Sequence, residues 1–99
     1  MSEQANMDFL AECERRMDIY DAISQERDFQ DNKHGTDPHE MGTWLMILEF
    51  ELAEAKEALV KGGIGRDSVR HELIQIAAVA VAALEQHGLE APPDEKRLP

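Results

Sequence analysis

Residues 72–84 read Glu72-Leu73-Ile74-Gln75-Ile76-Ala77-Ala78-Val79-Ala80-Val81-Ala82-Ala83-Leu84. From Leu73 onward only Gln75 is polar. The apolar run from Ile76 to Leu84 is too short to span a bilayer. Its alanine and leucine content suits a helix, and a helix that is apolar on nearly every side is one buried all round. Working outward, this helix starts near Asp67 or Ser68 and stops at Gly88, with glycine supplying the left-handed residue past the last turn. Two other helices of comparable length are too few to cover it. The pattern therefore predicts an all-α bundle completed by homo-oligomerisation, as a dimer or a tetramer.

Two more helices precede it. One begins at Asp37 as N-cap with Pro38 in its first turn and ends at Gly62 and Gly63. Leu45, Leu48, Leu52, Ala55 and Leu59 recur along it at spacings of three and four. The other covers about residues 6–29 with Asn6 as N-cap. Its stripe of Leu10, Cys13, Met17, Tyr20 and Ser24, flanked by Ile23, is predicted to face a core, and Glu14, Arg15, Asp18 and Glu26 to face water. A polar loop containing Gly35 joins the two over residues 30–37. Residues 1–88 form one helical domain. Residues 89–99, with Pro92, Pro93 and Pro99, read as a disordered tail.

Composition narrows the function. The chain has 99 residues, and its ten Lys and Arg against 21 Asp and Glu leave a formal net charge of −11. Such a surface lacks the basic footprint of a nucleic-acid polymer binder and is repelled by anionic lipid. A polyanionic ligand such as a nucleotide therefore needs a metal ion between itself and the protein. The single cysteine, Cys13, excludes an intrachain disulfide and a Cys-rich zinc site; it reads as a small core residue, and the methionines as packing. Ser2, Glu3, Gln4 and Asp8 break any leader-like apolar run, which predicts a cytoplasmic protein with no membrane partner.

Chemistry concentrates at two short patterns. Glu51 and Glu54 lie three apart on the second helix, and Glu72 and Gln75 three apart on the third. Residues at that spacing share a helix face. If the two helices pack antiparallel, as the short connection between them suggests, three carboxylates and an amide oxygen gather at one place. A hard, oxygen-rich set of this kind suits Mg²⁺, with Mn²⁺ as a substitute. Acidic pairs are also common as plain solvated faces. Lys33, Arg27, Lys56 and Arg70 are candidate phosphate contacts, each with an ordinary surface reading beside it. Trp44 can share a face with Glu51 and stack on a base, or serve as a core residue in register with Leu48. His34, His39 and His71 show no metal-ligand spacing, and His71 reads as peripheral.

The order Glu51-x-x-Glu54, spacer, Glu72-x-x-Gln75 resembles the ExxE, spacer, ExxD motif of the MazG-like all-α NTP pyrophosphohydrolase family. The stretch from Glu26 through Gln30, Lys33 and His34 to Gly35, together with Trp44, Ile47 and Leu48, is similar to the same family; a tryptophan commonly stands there at the place of His34. The alanine-valine run after Glu72 is the most specific likeness, and it resembles a subgroup with Gln in place of the final Asp. The resemblance spans about residues 26–85. It implies a Mg²⁺-dependent enzyme that converts a (d)NTP to (d)NMP and pyrophosphate. By position, Glu51, Glu54 and Glu72 would be the catalytic metal ligands and Gln75 a neutral ligand or supporting donor. Glu54 is a candidate to orient or deprotonate the attacking water. Lys33, His34, Trp44 and Gln30 would contact substrate, with residues 30–39 contributing to the base pocket. Gln75 lowers the negative charge of the set relative to the family pattern. That departure motivates an alternative, a non-catalytic helical module that binds nucleotide, metal or protein.

Overall fold

The computed structural model describes residues 2–62 and 67–88, apart from the side chains of residues 67 and 68. It contains three helices, α1 (Glu3–His34), α2 (Met41–Gly62) and α3 (Asp67–His87), and no strand among the described residues. The all-α expectation holds. None of the three is long and apolar enough to cross a membrane. The expected tail at residues 89–99 and the expected cap at Gly63 lie outside the described residues.

The alanine-valine run takes the central position. α3 packs against both α2 and α1, while α1 and α2 do not pack on each other. Trp44, near the start of α2, meets Gln86 near the end of α3, so the two helices run antiparallel. Their contact is built from Trp44, Val79, Ala82 and Ala83, with Ile47 and Leu48 packed alongside. Ala78 has no exposed surface at all. Small side chains at 78, 82 and 83 bring the helix backbones close, which is what the run contributes to packing.

The helix ends differ from the sequence expectation for local reasons. α1 starts at Glu3 rather than near Asn6, because the Ser2 hydroxyl accepts from the Ala5 N–H at 3.2 Å and caps the first turn. It also runs on to His34 instead of stopping near Phe29. An Arg27–Asp31 ion pair of 2.9 Å one turn apart supports the extension, and Lys33 and His34 suit the negative helix end. Gly35, at φ 81°, then ends the helix in a conformation that disfavours a side chain. α2 starts at Met41, not at Pro38: the Glu40 carbonyl accepts the first helical bonds, from Thr43 and Trp44. The Asp37 carbonyl is instead held by the Gln86 amide at 3.1 Å. α3 ends as expected, with Gly88 at φ 75°.

The α1 stripe does not face a core within this chain. No α1 residue is buried; Leu10, Met17 and Tyr20 are 59%, 64% and 61% exposed, and Cys13 is exposed too. Only residues between Ala22 and Asp31 become half-buried. The cause is length: α1 has 32 residues and α3 has 21, about 48 Å against about 32 Å. The methionines expected to pack, Met7, Met17 and Met46 among them, are likewise largely exposed. Nor is α3 covered all round: Leu73 and Leu84 are 55% and 49% exposed. The radius of gyration is 16.6 Å, against about 13 Å for a compact chain of this length.

Candidate functional site

Because α1 and α2 meet α3 without meeting each other, a cleft of about 710 Å³ opens between them. That volume falls in the range of small-molecule sites. Val79 and Ala82 of α3 give it an apolar floor, beside Trp44 and Ile47 of α2. Glu26, Gln30, Lys33 and His34 line it from α1, and Gly35 to Asp37 with His39 from the connecting loop. Glu51 and Glu54 stand on its α2 wall, and Gln75 on its α3 wall.

The antiparallel packing brings Glu51, Glu54 and Glu72 together: one carboxylate oxygen from each lies within 4.8 Å of the others. Glu51 and Glu72 are half-buried, and Glu54 is exposed. The Oε2 atoms of Glu51 and of Glu72 are buried without a hydrogen-bond partner among the described residues. Burial pushes the Glu51 carboxyl above its ordinary range, and the charges of Glu54, Glu72 and Glu26 push it further. Glu72 is also raised, first by burial and then by Glu54, with nearby His71 opposing. Mutual repulsion and orphaned buried oxygens leave this cluster short of positive charge. A divalent cation with oxygen ligands fits that deficit.

The neighbouring residues divide sharply. The Gln75 amide nitrogen lies 3.0 Å from His71 Nε2, one turn earlier. His71 is exposed and outside the cleft lining, as expected, but it bonds Gln75 and moderates Glu72. Gln30 donates from its side chain to the Gln75 backbone carbonyl at 3.4 Å, tying α1 to the α3 wall. Arg27 is committed elsewhere, bound to Glu85 at 2.6 Å and to Asp31 at 2.9 Å. Lys33 remains at the cleft with its ammonium 5.8 Å from the Phe29 ring centre. Lys56 and Arg70 are not part of the cleft lining. Trp44 is 8% exposed, with its ring edge against His39 and its N–H donating to Gln86. That is the core role; little of its face is open for stacking on a base.

Two features escape a reading from the sequence alone. Glu26, assigned there to solvent, is half-buried and lines the cleft close enough to raise Glu51. It lies on the half-buried side of α1 with Ala22, Ile23 and Gln30, each three or four residues away. The other is Gln86. Its side-chain oxygen accepts from the His39 backbone N–H and from Trp44 Nε1, both at 2.9 Å, while its amide holds the Asp37 carbonyl. His87 reaches the His39 carbonyl at 2.9 Å. Together they clamp the α1–α2 loop onto the end of α3 and so fix one wall of the cleft. No family model, curated protein or solved structure matches the chain.

Proposed function

We propose that the chain is a Mg²⁺-dependent nucleoside triphosphate pyrophosphohydrolase, converting a (d)NTP to (d)NMP and pyrophosphate in a cytoplasmic setting. One observation carries the reading. Three glutamates from two helices converge beside a nucleotide-sized cleft, and two of their buried oxygens have no hydrogen-bond partner among the described residues. The resemblance of the Glu51–Gln75 pattern to MazG-like enzymes points the same way.

Glu51, Glu54 and Glu72 would hold the metal, which when bound neutralises triphosphate charge and acidifies a coordinated water. Mn²⁺ is the natural substitute. Gln75, oriented by His71, assists as a neutral donor or ligand. Glu54 is the exposed member of the three and so the carboxylate suited to receive a proton from the attacking water. Attack at the α-phosphorus breaks its bond to the bridging oxygen, and the bridging oxygen leaves with pyrophosphate. Lys33 supplies a cation at the end of α1 and His34 a hydrogen-bonding ring beside it, both lining the cleft. Gln30 offers an amide to sugar or base, and the apolar floor receives the base. With Arg27 locked in ion pairs, Lys33 is the cation assigned to phosphate.

The neutral Gln75 favours a second reading, a nucleotide or metal sensor without turnover. A product assay separates the two. Purified protein is incubated with Mg²⁺ and each common NTP and dNTP, resolving monophosphate, diphosphate, pyrophosphate and phosphate. Monophosphate plus pyrophosphate, lost in Glu72→Gln, supports the enzyme. Thermal stabilisation by Mg²⁺ and nucleotide without any product supports the sensor.

A further inference from the structure

Glu26 lines the cleft from α1 and is half-buried, yet no hydrogen bond or ion pair ties it to another described residue. Two neighbouring carboxylates, Asp31 and Glu85, are both held by Arg27. Nor does Glu26 belong to the converging set: the oxygens within 4.8 Å of one another are those of Glu51, Glu54 and Glu72. A half-buried carboxylate that faces a cleft unpaired calls for a donor on a ligand.

Its place along the cleft says which donor. Arg27, the next residue, reaches Glu85 at 2.6 Å, one turn beyond Ala82 of the apolar floor. Gln30, one turn after Glu26, reaches the Gln75 carbonyl at 3.4 Å, at the glutamate end. Between these contacts α1 crosses from the floor end to the glutamate end, and Glu26 lies on the floor side of Gln30. On α2, Glu51 comes one turn after Ile47 of the floor, and its carboxyl is one that the charge of Glu26 pushes up. Glu26 therefore stands between the three glutamates and the floor. In a nucleoside triphosphate the group between the phosphates and the base is the sugar. Its hydroxyls donate, whereas phosphate oxygens accept and are repelled by a carboxylate.

We propose that Glu26 binds a sugar hydroxyl of the nucleotide and makes the cleft selective for triphosphates that carry it. This rests on the nucleotide reading of the cleft, with phosphates at the glutamates and base on the floor, an orientation that the hydrolase and the sensor share. A hydrogen bond from a hydroxyl to a charged acceptor is worth a factor of about ten or more, and the analogue lacking the hydroxyl leaves the carboxylate unpaired in the cleft.

The test compares the ribo-, 2′-deoxy- and 2′,3′-dideoxynucleoside triphosphates of each common base, with Mg²⁺, on wild type, Glu26→Ala and Glu26→Gln. It reads kcat/KM where product forms and the dissociation constant by calorimetry where none does. The wild type should discriminate at least about tenfold at one step of the series: ribo to deoxy assigns the 2′-hydroxyl, deoxy to dideoxy the 3′-hydroxyl. Glu26→Ala should erase most of that ratio. Glu26→Gln, which keeps an acceptor without the charge, should retain part of it, and it is the second variant should the first lose helicity. Mn²⁺ affinity, read by electron paramagnetic resonance, should stay within about threefold of the wild type in both. A wild type indifferent to both hydroxyls, or a ratio that Glu26→Ala leaves unchanged, overturns the assignment. So does a loss equal for all three sugars, which marks a structural role, or a loss of Mn²⁺ affinity of about tenfold, which marks a metal ligand. Sugar-selective binding without turnover refutes the hydrolase reading alone. Turnover without sugar selectivity refutes the Glu26 assignment alone, and absence of both binding and turnover refutes the two together.

Discussion

Replacing Gln86 by alanine removes three hydrogen bonds from one side chain: those to His39 N–H, Trp44 Nε1 and the Asp37 carbonyl. The costs are unequal. The two loop backbone groups belong to exposed residues, so water replaces most of what they lose, at about 0.5 kcal/mol each. The indole N–H belongs to a residue only 8% exposed, and a buried donor without an acceptor costs about 1–3 kcal/mol. The expected loss is about 2–4 kcal/mol, whose lower end corresponds to a fall in Tm of roughly 8–16 °C for a domain of this size. Urea unfolding followed by circular dichroism measures it: the midpoint should shift with the slope unchanged. Tryptophan emission should move to the red as the indole gains water. Gln86→Glu keeps the acceptor for His39 and Trp44 while losing the donor to Asp37, and should cost only about 0.5 kcal/mol. A loss under about 0.5 kcal/mol for Gln86→Ala would refute the reasoning, because the clamp would then carry no weight in fixing the loop.

Other outcomes follow from the same structure. Glu72→Gln removes one of three converging charges and should stabilise the metal-free protein by about 0.5 kcal/mol, a Tm rise of roughly 2–4 °C, while abolishing stabilisation by Mg²⁺; scanning calorimetry with and without the ion reads both. The raised Glu51 and Glu72 carboxyls mean that the folded protein binds more protons than the unfolded chain just above pH 4.5, so their contribution to metal-free stability falls as pH rises through that window. Comparing Tm from pH 4.5 to 7 for wild type and Glu51→Gln/Glu72→Gln isolates this slope, and Mg²⁺ should flatten it; a wild-type slope no steeper than the variant's would contradict the assignment. Arg27→Met should cost about 1–2 kcal/mol: its guanidinium side chain is 13% exposed, but the Glu85 and Asp31 partners stay largely solvated once freed.

The central helix and the meeting of Glu51, Glu54 and Glu72 were legible because both rest on spacing. Three-residue intervals set a shared face, and a short connection between two helices makes them antiparallel. Where a side chain serves a partner far along the chain, spacing says nothing. Gln86 reaches residues 42 to 49 positions away, and no local pattern marks a glutamine as a loop clamp. Glu26 was misplaced because the side of α1 that packs carries Ala22, Ile23, Glu26 and Gln30 rather than the expected stripe, and the end of α1 was also set too early. The Arg27–Asp31 pair and the cationic last turn, which extend that helix through Asp31 and Asn32, are side-chain effects outside the apolar period. The α1 stripe has sound helical spacing yet faces no core in one chain, since periodicity identifies an apolar face without naming what covers it.

The claim that Glu51, Glu54 and Glu72 hold a divalent cation is tested most directly by titrating Mn²⁺ into the purified protein and following the free-ion signal by electron paramagnetic resonance. Saturable binding displaced by Mg²⁺ is the predicted result, with affinity reduced at least about tenfold in both Glu51→Gln and Glu72→Gln. Absence of bound Mn²⁺ at millimolar concentration, or variants that bind as the wild type does, would contradict it.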